Sequence, residues 1–399
     1  MSGVLALSTG SVDAENHPKI TVQQCNASKT CTTQQREIVL DSNWRWLRNN
    51  KQGQYNNCYT GNTRDPILCS SPTTCTQNCA LEGANYSGTY GITASGNSVR
   101  LQFVTKGQYG TNVGTRVYLM DTASTYQMFS LLNQEFTFDV DMSNLPCGLN
   151  GALYFVQMDK DGGMSRFPSN KYGTIYCDAQ CARDIKLING ECANLLDWAN
   201  SPTDPEAGKG HYGTCFNEMD IWEASKMASA YTPHTCGQGG GQVRCEGSEC
   251  ASFDDRYSGI CDKDGKTVNT NSKITVVTQI IASGGALTEI KRSYDFFGDI
   301  NDFVDNGGMR AMGQALQKGM VLAMSIWDDH EAEMLWLDGS YPLDMDPSEP
   351  GITRGECAQD SEWRFVFADS GRPTYVHSTF PNASVTFSNI KYGPLNSTF

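Results

Sequence analysis

Short strand-like patterns of apolar and polar residues recur along the chain, with turn signals between them. They predict strands over residues 37–41, 99–104, 115–120, 135–141, 152–156, 273–281, 320–327 and 384–391. Several of these segments alternate apolar with polar residues, which is typical of β-strands that pack one face against a core and expose the other to solvent. Helical periodicity is confined to residues 308–318 and 329–337. Because strands do not alternate with helices, we predict an all-β fold, a large antiparallel β-sandwich with a few short helices.

Composition favours one folded domain. The chain has 399 residues, of which 39% are hydrophobic and 10% aromatic, and this is enough for a sizeable core. No linker rich in proline, serine or threonine divides it, so we predict a single domain over residues 17–399. Residues 1–16 contain only a short apolar run, and we interpret them as a residual leader or clipped signal segment. No stretch approaches 18 apolar residues, so no membrane span is predicted.

The net charge narrows the range of partners. Asp and Glu number 44 against 30 Lys and Arg, which gives a net charge of -14. Binding to nucleic-acid phosphates or to an anionic membrane needs clustered basic residues, so we expect neither partner.

The cysteines indicate an oxidising compartment. There are sixteen, an even number, and none stands in a Cys-x-x-Cys pair. We therefore predict disulfides and a secreted protein, and a reduced intracellular chain is the less favoured alternative. The five histidines lack the spacing of metal ligands, so we predict no metal and no cofactor. Four Asn-x-Ser/Thr sequons are compatible with secretion, at Asn26, Asn85, Asn382 and Asn396.

The segment at 215–223 carries the candidate chemistry. Glu218 and Asp220 stand two residues apart, so in a strand they point to the same face. Glu223 would point to the opposite face unless a β-bulge near residues 221–222 adds one residue. Three carboxyls on one face repel each other, and this repulsion raises at least one pKa. A carboxylate beside a protonated carboxyl is the pair that glycoside hydrolysis requires.

Two alternatives compete with this interpretation. Acidic triplets are common on solvated strand faces, and clustered carboxylates can bind calcium. The apolar neighbours Met219, Ile221 and Trp222 favour the floor of a cleft over an open surface. The segment also lacks the glycine and the spacing of a calcium loop.

Residues 217–224, followed by 231–236, resemble the signature of glycoside hydrolase family 7. This family comprises secreted cellobiohydrolases and endoglucanases that cleave cellulose with retention. The resemblance extends from about residue 17 to residue 394 and includes blocks at 43–46, 147–156, 176–178, 325–329 and 334–338. It implies a concanavalin-like jelly roll whose long loops form a substrate groove or tunnel. It also implies cellulose and cello-oligosaccharides as partners, and we expect a monomer.

The resemblance implies a role for each matching residue. Glu218 corresponds to the nucleophile, Glu223 to the general acid/base and Asp220 to the partner of the nucleophile, while His234 lies near the leaving sugar. Indole rings suit the flat faces of pyranose rings, and Trp44 and Trp46, expected on one face of a strand, join Trp327 and Trp336 as stacking candidates. Polar contacts to sugar hydroxyls are expected from Arg116, Asn150, Tyr154, Tyr176, Asp178, Gln180, Arg256, Asp264 and Arg354.

Loop lengths bear on whether the enzyme acts inside a chain or from its end. Segments 195–213, 253–259 and 341–357 resemble the tunnel-forming loops of the cellobiohydrolases, so we favour a processive cellobiohydrolase acting from reducing ends. An endo-acting glucanase of the same family is the alternative, and a non-catalytic, lectin-like glucan-binding sandwich is the remote one. The sequence departs from the family in short segments near 265–275 and 292–307 and in the unmatched segment 362–378.

The family pattern also implies a disulfide scheme. Phe216 stands where the family has a cysteine, which leaves Cys177 without its usual partner, and Cys192 is an extra cysteine that would restore an eighth bridge. The other implied bridges are Cys25–Cys31, Cys58–Cys79, Cys69–Cys75, Cys147–Cys357, Cys181–Cys215, Cys236–Cys261 and Cys245–Cys250.

Overall fold

A computed structural model of the chain describes residues 15–399 with the exception of 52–53, 109, 167–172, 174–175, 177, 189, 196–197, 203–206, 237–242, 247–254, 260–269, 293–295, 302, 304–306, 331, 350–351, 356 and 358–371. The segments near 265–275, 292–307 and 362–378, where the sequence departs from the family, fall partly outside the described residues.

The described chain is dominated by strands. They are β1 (Lys19–Cys25), β2 (Cys31–Leu40), β3 (Leu47–Asn49), β4 (Tyr59–Thr60), β5 (Thr63–Arg64), β6 (Cys79–Leu81), β7 (Ile92–Ser95), β8 (Ser98–Gln102), β9 (Val104–Lys106), β10 (Thr111–Val113), β11 (Thr115–Thr122), β12 (Thr125–Tyr126), β13 (Met128–Phe129), β14 (Gln134–Asn144), β15 (Asn150–Val156), β16 (Ala199–Asn200), β17 (Gly208–Lys209), β18 (Tyr212–Cys215), β19 (Glu218–Ala224), β20 (Ser229–His234), β21 (Val243–Glu246), β22 (Asp255–Gly259), β23 (Ile274–Ser283), β24 (Ala286–Lys291), β25 (Phe296–Asn301), β26 (Met320–Trp327) and β27 (Ser384–Pro394). The helices are α1 (Pro72–Asn78), α2 (Gly308–Lys318), α3 (Leu335–Asp338) and α4 (Arg372–Thr379), with 3-10 turns at Ser42–Trp44 and Ala193–Leu195.

The strands form two packed layers that are continuous at one edge. One layer runs β7-β8-β27-β14-β23-β24, and the other runs β1-β2-β11-β26-β15-β19-β20-β22-β25. A short parallel pairing of β1 with β27 joins them, and the other pairings named here are antiparallel. The predicted all-β, antiparallel sandwich is confirmed.

Aromatic side chains fill the space between the layers. Phe136 on β14 meets Phe155 on β15 edge to face at 5.0 Å, and Phe138 meets Trp222 on β19 at 6.3 Å. Every residue of β15, β19 and β20 is buried, so the second face of these strands is covered as well. On β15, Tyr154 packs there in a cluster with Tyr176 and Ile185. That second face therefore forms the floor of an enclosed region, and its polar residues are removed from bulk water.

The helical predictions met with different outcomes. The helix predicted over 308–318 is confirmed as α2. The helix predicted over 329–337 is wrong, because only residues 335–338 are helical. Glu333 and Met334 adopt left-handed backbone angles, with φ of 56° and 58°, and these angles interrupt a helix. No helix in the described part of the chain is long and apolar enough to cross a membrane.

Disulfides hold the loops that flank the layers. Cys192 is a buried free thiol that packs beside the Cys58–Cys79 bridge, so it does not form the eighth bridge. Its suggested partner Cys177 lies outside the described residues. So do Cys250 and Cys261, and the bridges Cys245–Cys250 and Cys236–Cys261 therefore stay predictions. Five implied bridges are confirmed, namely Cys25–Cys31, Cys58–Cys79, Cys69–Cys75, Cys147–Cys357 and Cys181–Cys215.

Candidate active site

The acid-bearing strand β19 contains one extra residue. Asp220 pairs with Thr232 of β20 and Glu223 pairs with Ala230, so three steps along β19 match two along β20. A corresponding register shift separates β19 from β15 on its other side. This irregularity is a β-bulge, and the bulge predicted from the spacing of the acids is confirmed.

The bulge sorts the residues of β19 between its two faces. The apolar members all belong to the core between the layers, namely Met219, Ile221, Trp222 and Ala224. The three acids share the opposite face, where 4% of Glu218, 5% of Asp220 and 9% of Glu223 is exposed. Exposure this low rules out a freely solvated acidic surface and indicates the floor of a cleft.

Arg292 supports the bulge from the core side. It lies directly after β24, is buried, and donates a hydrogen bond from Nη2 to the carbonyl oxygen of Ile221. Its guanidinium carbon lies 5.4 Å from the ring centre of Trp222 and 5.1 Å from that of Tyr231. A carbonyl that the bulge withdraws from the ladder thereby gains a charged donor. Sequence reasoning missed Arg292, because no motif marks it.

Each carboxyl has a specific partner. Glu218 Oε2 accepts the backbone N–H of Ala179 at 3.2 Å. Asp220 Oδ2 lies 3.1 Å from His234 Nε2. One carboxylate oxygen each of Glu218 and Asp220 and one ring nitrogen of His234 all lie within 4.8 Å of one another.

Asn150 connects the third acid to its own strand. Its amide nitrogen donates to Glu223 Oε1 at 2.8 Å, and its amide oxygen accepts the N–H of Ala224 at 3.0 Å. The side-chain amide thus fixes the rotamer of Glu223 relative to β15. Asn150 was also predicted to contact sugar, and this stays a prediction, because its amide nitrogen has a second hydrogen to donate.

The environment shifts the proton affinity of the acids. Burial raises the pKa of Glu218 and Asp220 well above the usual range, and the neighbouring carboxyls raise both further. The N–H of Ala179 acts in the opposite direction on Glu218 alone. Since the acids repel each other when ionised, they hold at least one proton between them.

A second polar cluster adjoins the acids. Arg116 Nε donates to Asp41 Oδ2 at 3.0 Å, and its guanidinium lies over the ring of Tyr176. Tyr176 in turn donates to Asp178 Oδ2 at 3.1 Å. Tyr154 of β15 is buried beside Tyr176, and the hydroxyl of Tyr154 interacts with Tyr176. The predicted residues Arg116, Tyr154, Tyr176 and Asp178 are therefore brought together, whereas Asp41 was missed.

The predicted tryptophans occupy two places. Trp44 and Trp46 do not share a strand as expected, because Ser42–Trp44 forms a 3-10 turn and β3 begins only at Leu47. Trp44 is half-buried and donates from Nε1 to the carbonyl of Val113 at 3.0 Å, whereas Trp46 is 40% exposed. Trp327 and Trp336 lie 6.1 Å apart with an interplanar angle of 32°.

The remaining predicted contacts have separate outcomes. Gln180 Nε2 lies 3.3 Å from His234 Nε2, which places Gln180 beside the acids. Arg354 is buried and donates to the carbonyl of Trp336 at 2.7 Å, so it contacts the backbone of that tryptophan. Arg256 lies on β22, but its side chain is outside the described part of the chain, and Asp264 is outside it entirely.

A buried cluster of carboxyls on the enclosed face of a sandwich is an arrangement that suits glycoside hydrolysis. The family model described as Glycosyl hydrolase family 7 matches residues 9–296 and 295–399. The chain therefore belongs to glycosyl hydrolase family 7, and the resemblance seen in the sequence is confirmed.

Solved structures of similar proteins agree with this assignment. A family 7 cellobiohydrolase from Daphnia pulex has 41% identity and a TM-score of 0.90, with 98% of this chain and 99% of that chain covered. A cellobiohydrolase from Melanocarpus albomyces complexed with cellotetraose has 40% identity and a TM-score of 0.84, with 98% and 99% covered. The native endocellulase EGI from Humicola insolens has 32% identity and a TM-score of 0.77, with 98% and 100% covered.

Replacing Arg292 by methionine tests the support of the bulge. We expect Arg292→Met to lower the free energy of unfolding by about 2–4 kcal/mol, because the carbonyl of Ile221 loses its buried partner. We also expect kcat on a soluble cello-oligosaccharide to fall at least tenfold while KM changes less. Urea denaturation and steady-state kinetics measure both. The control is Arg310→Met, an exposed arginine on α2. Parent-like kcat in the Arg292 variant would contradict the role.

Asp178 makes stability depend on pH. Although solvent reaches part of its surface, burial and the nearby carboxyl of Asp184 raise its pKa to about 6. An acid whose pKa is raised on folding stabilises the fold at low pH, and that contribution disappears as the pH rises from about 4 to about 6. We expect Asp178→Asn to reduce this fall by about 2 kcal/mol, measured by urea denaturation between pH 4 and 7. The exposed Asp344→Asn should retain the parental slope, and an unchanged slope in Asp178→Asn would refute the assignment.

Proposed function

We propose that this protein is a secreted glycoside hydrolase that cleaves β-1,4-glucosidic bonds of cellulose and cello-oligosaccharides with retention. The observation that carries the proposal is the bulge in β19, which gathers three buried carboxyls on one face. Similarity to cellobiohydrolases, one of them complexed with cellotetraose, supports the substrate class. In this proposal residues 17–399 form one catalytic domain that acts as a monomer, and its chemistry requires no cofactor. The disulfides and the exposed asparagines of all four sequons support secretion.

The two glutamates divide the chemistry. Glu218 attacks the anomeric carbon and forms a glycosyl-enzyme ester, while Glu223 gives its proton to the departing glycosidic oxygen. In the second step Glu223 takes a proton from water, which attacks the anomeric carbon from the vacated side and displaces the carboxylate of Glu218. Two inversions leave the product in its original β configuration. Asn150 holds Glu223 in place for both transfers.

Asp220 and His234 determine where the proton lies beside the proposed nucleophile Glu218. Burial and neighbouring carboxyls raise the pKa of both Glu218 and Asp220, but Glu218 also accepts the backbone N–H of Ala179, which favours its ionised form. In this proposal the proton therefore rests on Asp220. With His234 Nε2 at 3.1 Å, that proton lies between the carboxyl and the imidazole. Glu218 is thereby left as the carboxylate that attacks.

In this proposal the tryptophans and the tyrosine cluster bind the glucan. Trp327 and Trp336, whose ring centres lie 6.1 Å apart, and the exposed Trp46 offer stacking surfaces, and Trp44 lies 5.3 Å from the guanidinium carbon of Arg116. Arg116, Tyr176, Asp178 and Gln180 supply hydrogen bonds to sugar hydroxyls. Arg256, Asp264 and Arg354 complete the proposed contacts.

Within the family, the proposal favours processive release of cellobiose from reducing ends. The loop lengths of the sequence support it, and so do TM-scores of 0.90 and 0.84 with cellobiohydrolases against 0.77 with an endocellulase. That 32% identical endocellulase covers the whole fold too, so endo action is the second candidate.

Replacing Glu218 by glutamine tests the chemistry. We expect Glu218→Gln to lower kcat by roughly a thousandfold or more, because the neutral amide cannot attack, while cellotetraose still binds. Reducing-sugar release measures the first effect and calorimetry the second. Glu289→Gln, on the exposed side of β24, is the matched control. A parent protein without hydrolytic activity on amorphous cellulose would refute the enzyme assignment in favour of a glucan-binding sandwich.

The stereochemistry and the mode of attack need separate measurements. Proton NMR of the first product from a cello-oligosaccharide should show the β anomer, and an initial α anomer would exclude retention. On insoluble cellulose we expect soluble reducing ends to exceed insoluble ones at least several-fold, because a processive enzyme releases many cellobiose units per association. A ratio near one would favour the endoglucanase.

A further inference from the structure

Asp328, His330 and His377 form a polar cluster outside the acid site. Asp328 directly follows β26, His330 lies in the next turn, and His377 lies in the last turn of α4, 49 residues from Asp328. The sequence spacing of the histidines indicated no metal site, but the fold brings these two together.

The three side chains converge on one point. Asp328 Oδ2 lies 2.9 Å from His377 Nε2 and 3.4 Å from His330 Nε2, and one ligating atom of each residue lies within 4.8 Å of the others. In a tetrahedral zinc site with bonds near 2.0–2.2 Å, neighbouring ligand atoms are about 3.3 Å apart. The two separations from Asp328 Oδ2 lie on either side of this value, and the nitrogen atoms of the two histidines lie within 4.8 Å of each other.

The surroundings hold the ligands in place and still admit an ion. The ring of His377 packs edge to face on the buried Phe103 at 5.3 Å and lies 6.1 Å from the ring of His330. The side chains of Asp328, His330 and His377 are 11%, 18% and 24% exposed, so solvent reaches the cluster. The adjacent Asp329 makes hydrogen bonds outside the cluster, since its carboxylate accepts the N–H of Ala332 and the indole N–H of Trp336.

We propose that Asp328, His330 and His377 bind a divalent transition-metal ion of the zinc type, with water in the remaining position. Two imidazoles and one carboxylate are a donor set that suits zinc and its neighbours, whereas calcium and magnesium prefer oxygen donors alone. The bound ion links His377 of α4 to Asp328, the residue that follows Trp327 at the end of β26. This site is separate from the proposed hydrolysis and does not depend on it.

Equilibrium dialysis of the whole, chelator-treated protein against zinc tests the proposal. We expect one zinc ion per chain, retained in excess calcium, and a loss of affinity of at least tenfold in His377→Ala and in Asp328→Asn. The matched controls Asp329→Asn and His211→Ala should bind zinc as the parent does. Cobalt added to the unmodified protein should give the visible absorption bands of a tetrahedral nitrogen and oxygen site, a measurement that needs no variant to fold.

Two results would overturn the assignment. The first is the absence of stoichiometric zinc binding by the parent protein, which would leave the cluster as a hydrogen-bonded Asp-His pair. The second is zinc binding that Glu218→Gln abolishes and His377→Ala leaves unchanged, because the ion would then occupy the acid cluster. Neither result alters the test of hydrolysis, since that test measures reducing sugar from protein without added metal.

Discussion

The β-bulge in β19 is the constraint on which the site depends. A regular strand would turn Glu223 toward the aromatic core that contains Phe138, and it would turn Trp222 toward the face of Glu218 and Asp220. With one extra residue, Ile221 and Trp222 both face the core and Glu223 returns to the face of Glu218 and Asp220. The same short segment thus completes the hydrophobic core and the acid cluster. Arg292 donates to the carbonyl of Ile221 in the bulge, so both functions also depend on a residue that is distant in the sequence.

Gathering these acids costs stability, and the structure offsets only a part of that cost. Burial and mutual repulsion raise the pKa values of Glu218, Asp220 and Asp178. Among the described residues, the compensating groups include the N–H of Ala179 on Glu218, the amide of Asn150 on Glu223 and the hydroxyl of Tyr176 on Asp178. Since a fully compensated set of carboxylates would hold no proton near neutral pH, the incomplete compensation is what keeps a proton within the cluster. The packed aromatic core and the disulfides supply the stability that the acid cluster lacks.

Features that depend on local composition and spacing could be predicted from the sequence. The apolar run at 320–327 matches β26 to the residue, the 3.6-residue period identified α2, and the spacing of three acids pointed to the bulge. Predictions failed where backbone conformation overrides a pattern. The turn before β3 separates Trp44 from Trp46, and left-handed angles at Glu333 and Met334 shorten a helix. Contacts between distant residues had no local signal at all, as in the pairing of Asp41 with Arg116 and the approach of His377 to Asp328.

Asn150 shows how one ladder of strands relates the chemistry to the substrate path. Its backbone pairs with Trp327 of β26, while its side chain holds Glu223 and the backbone of Ala224 on β19. The proposed acid and the proposed stacking platform are therefore spaced by the geometry of three adjacent strands, about 4.8 Å from one to the next, and not by mobile loops. Loops can then differ among relatives and change how a glucan enters without moving the acid relative to the platform. That separation explains how cellobiohydrolases and an endocellulase can share one fold with this chain.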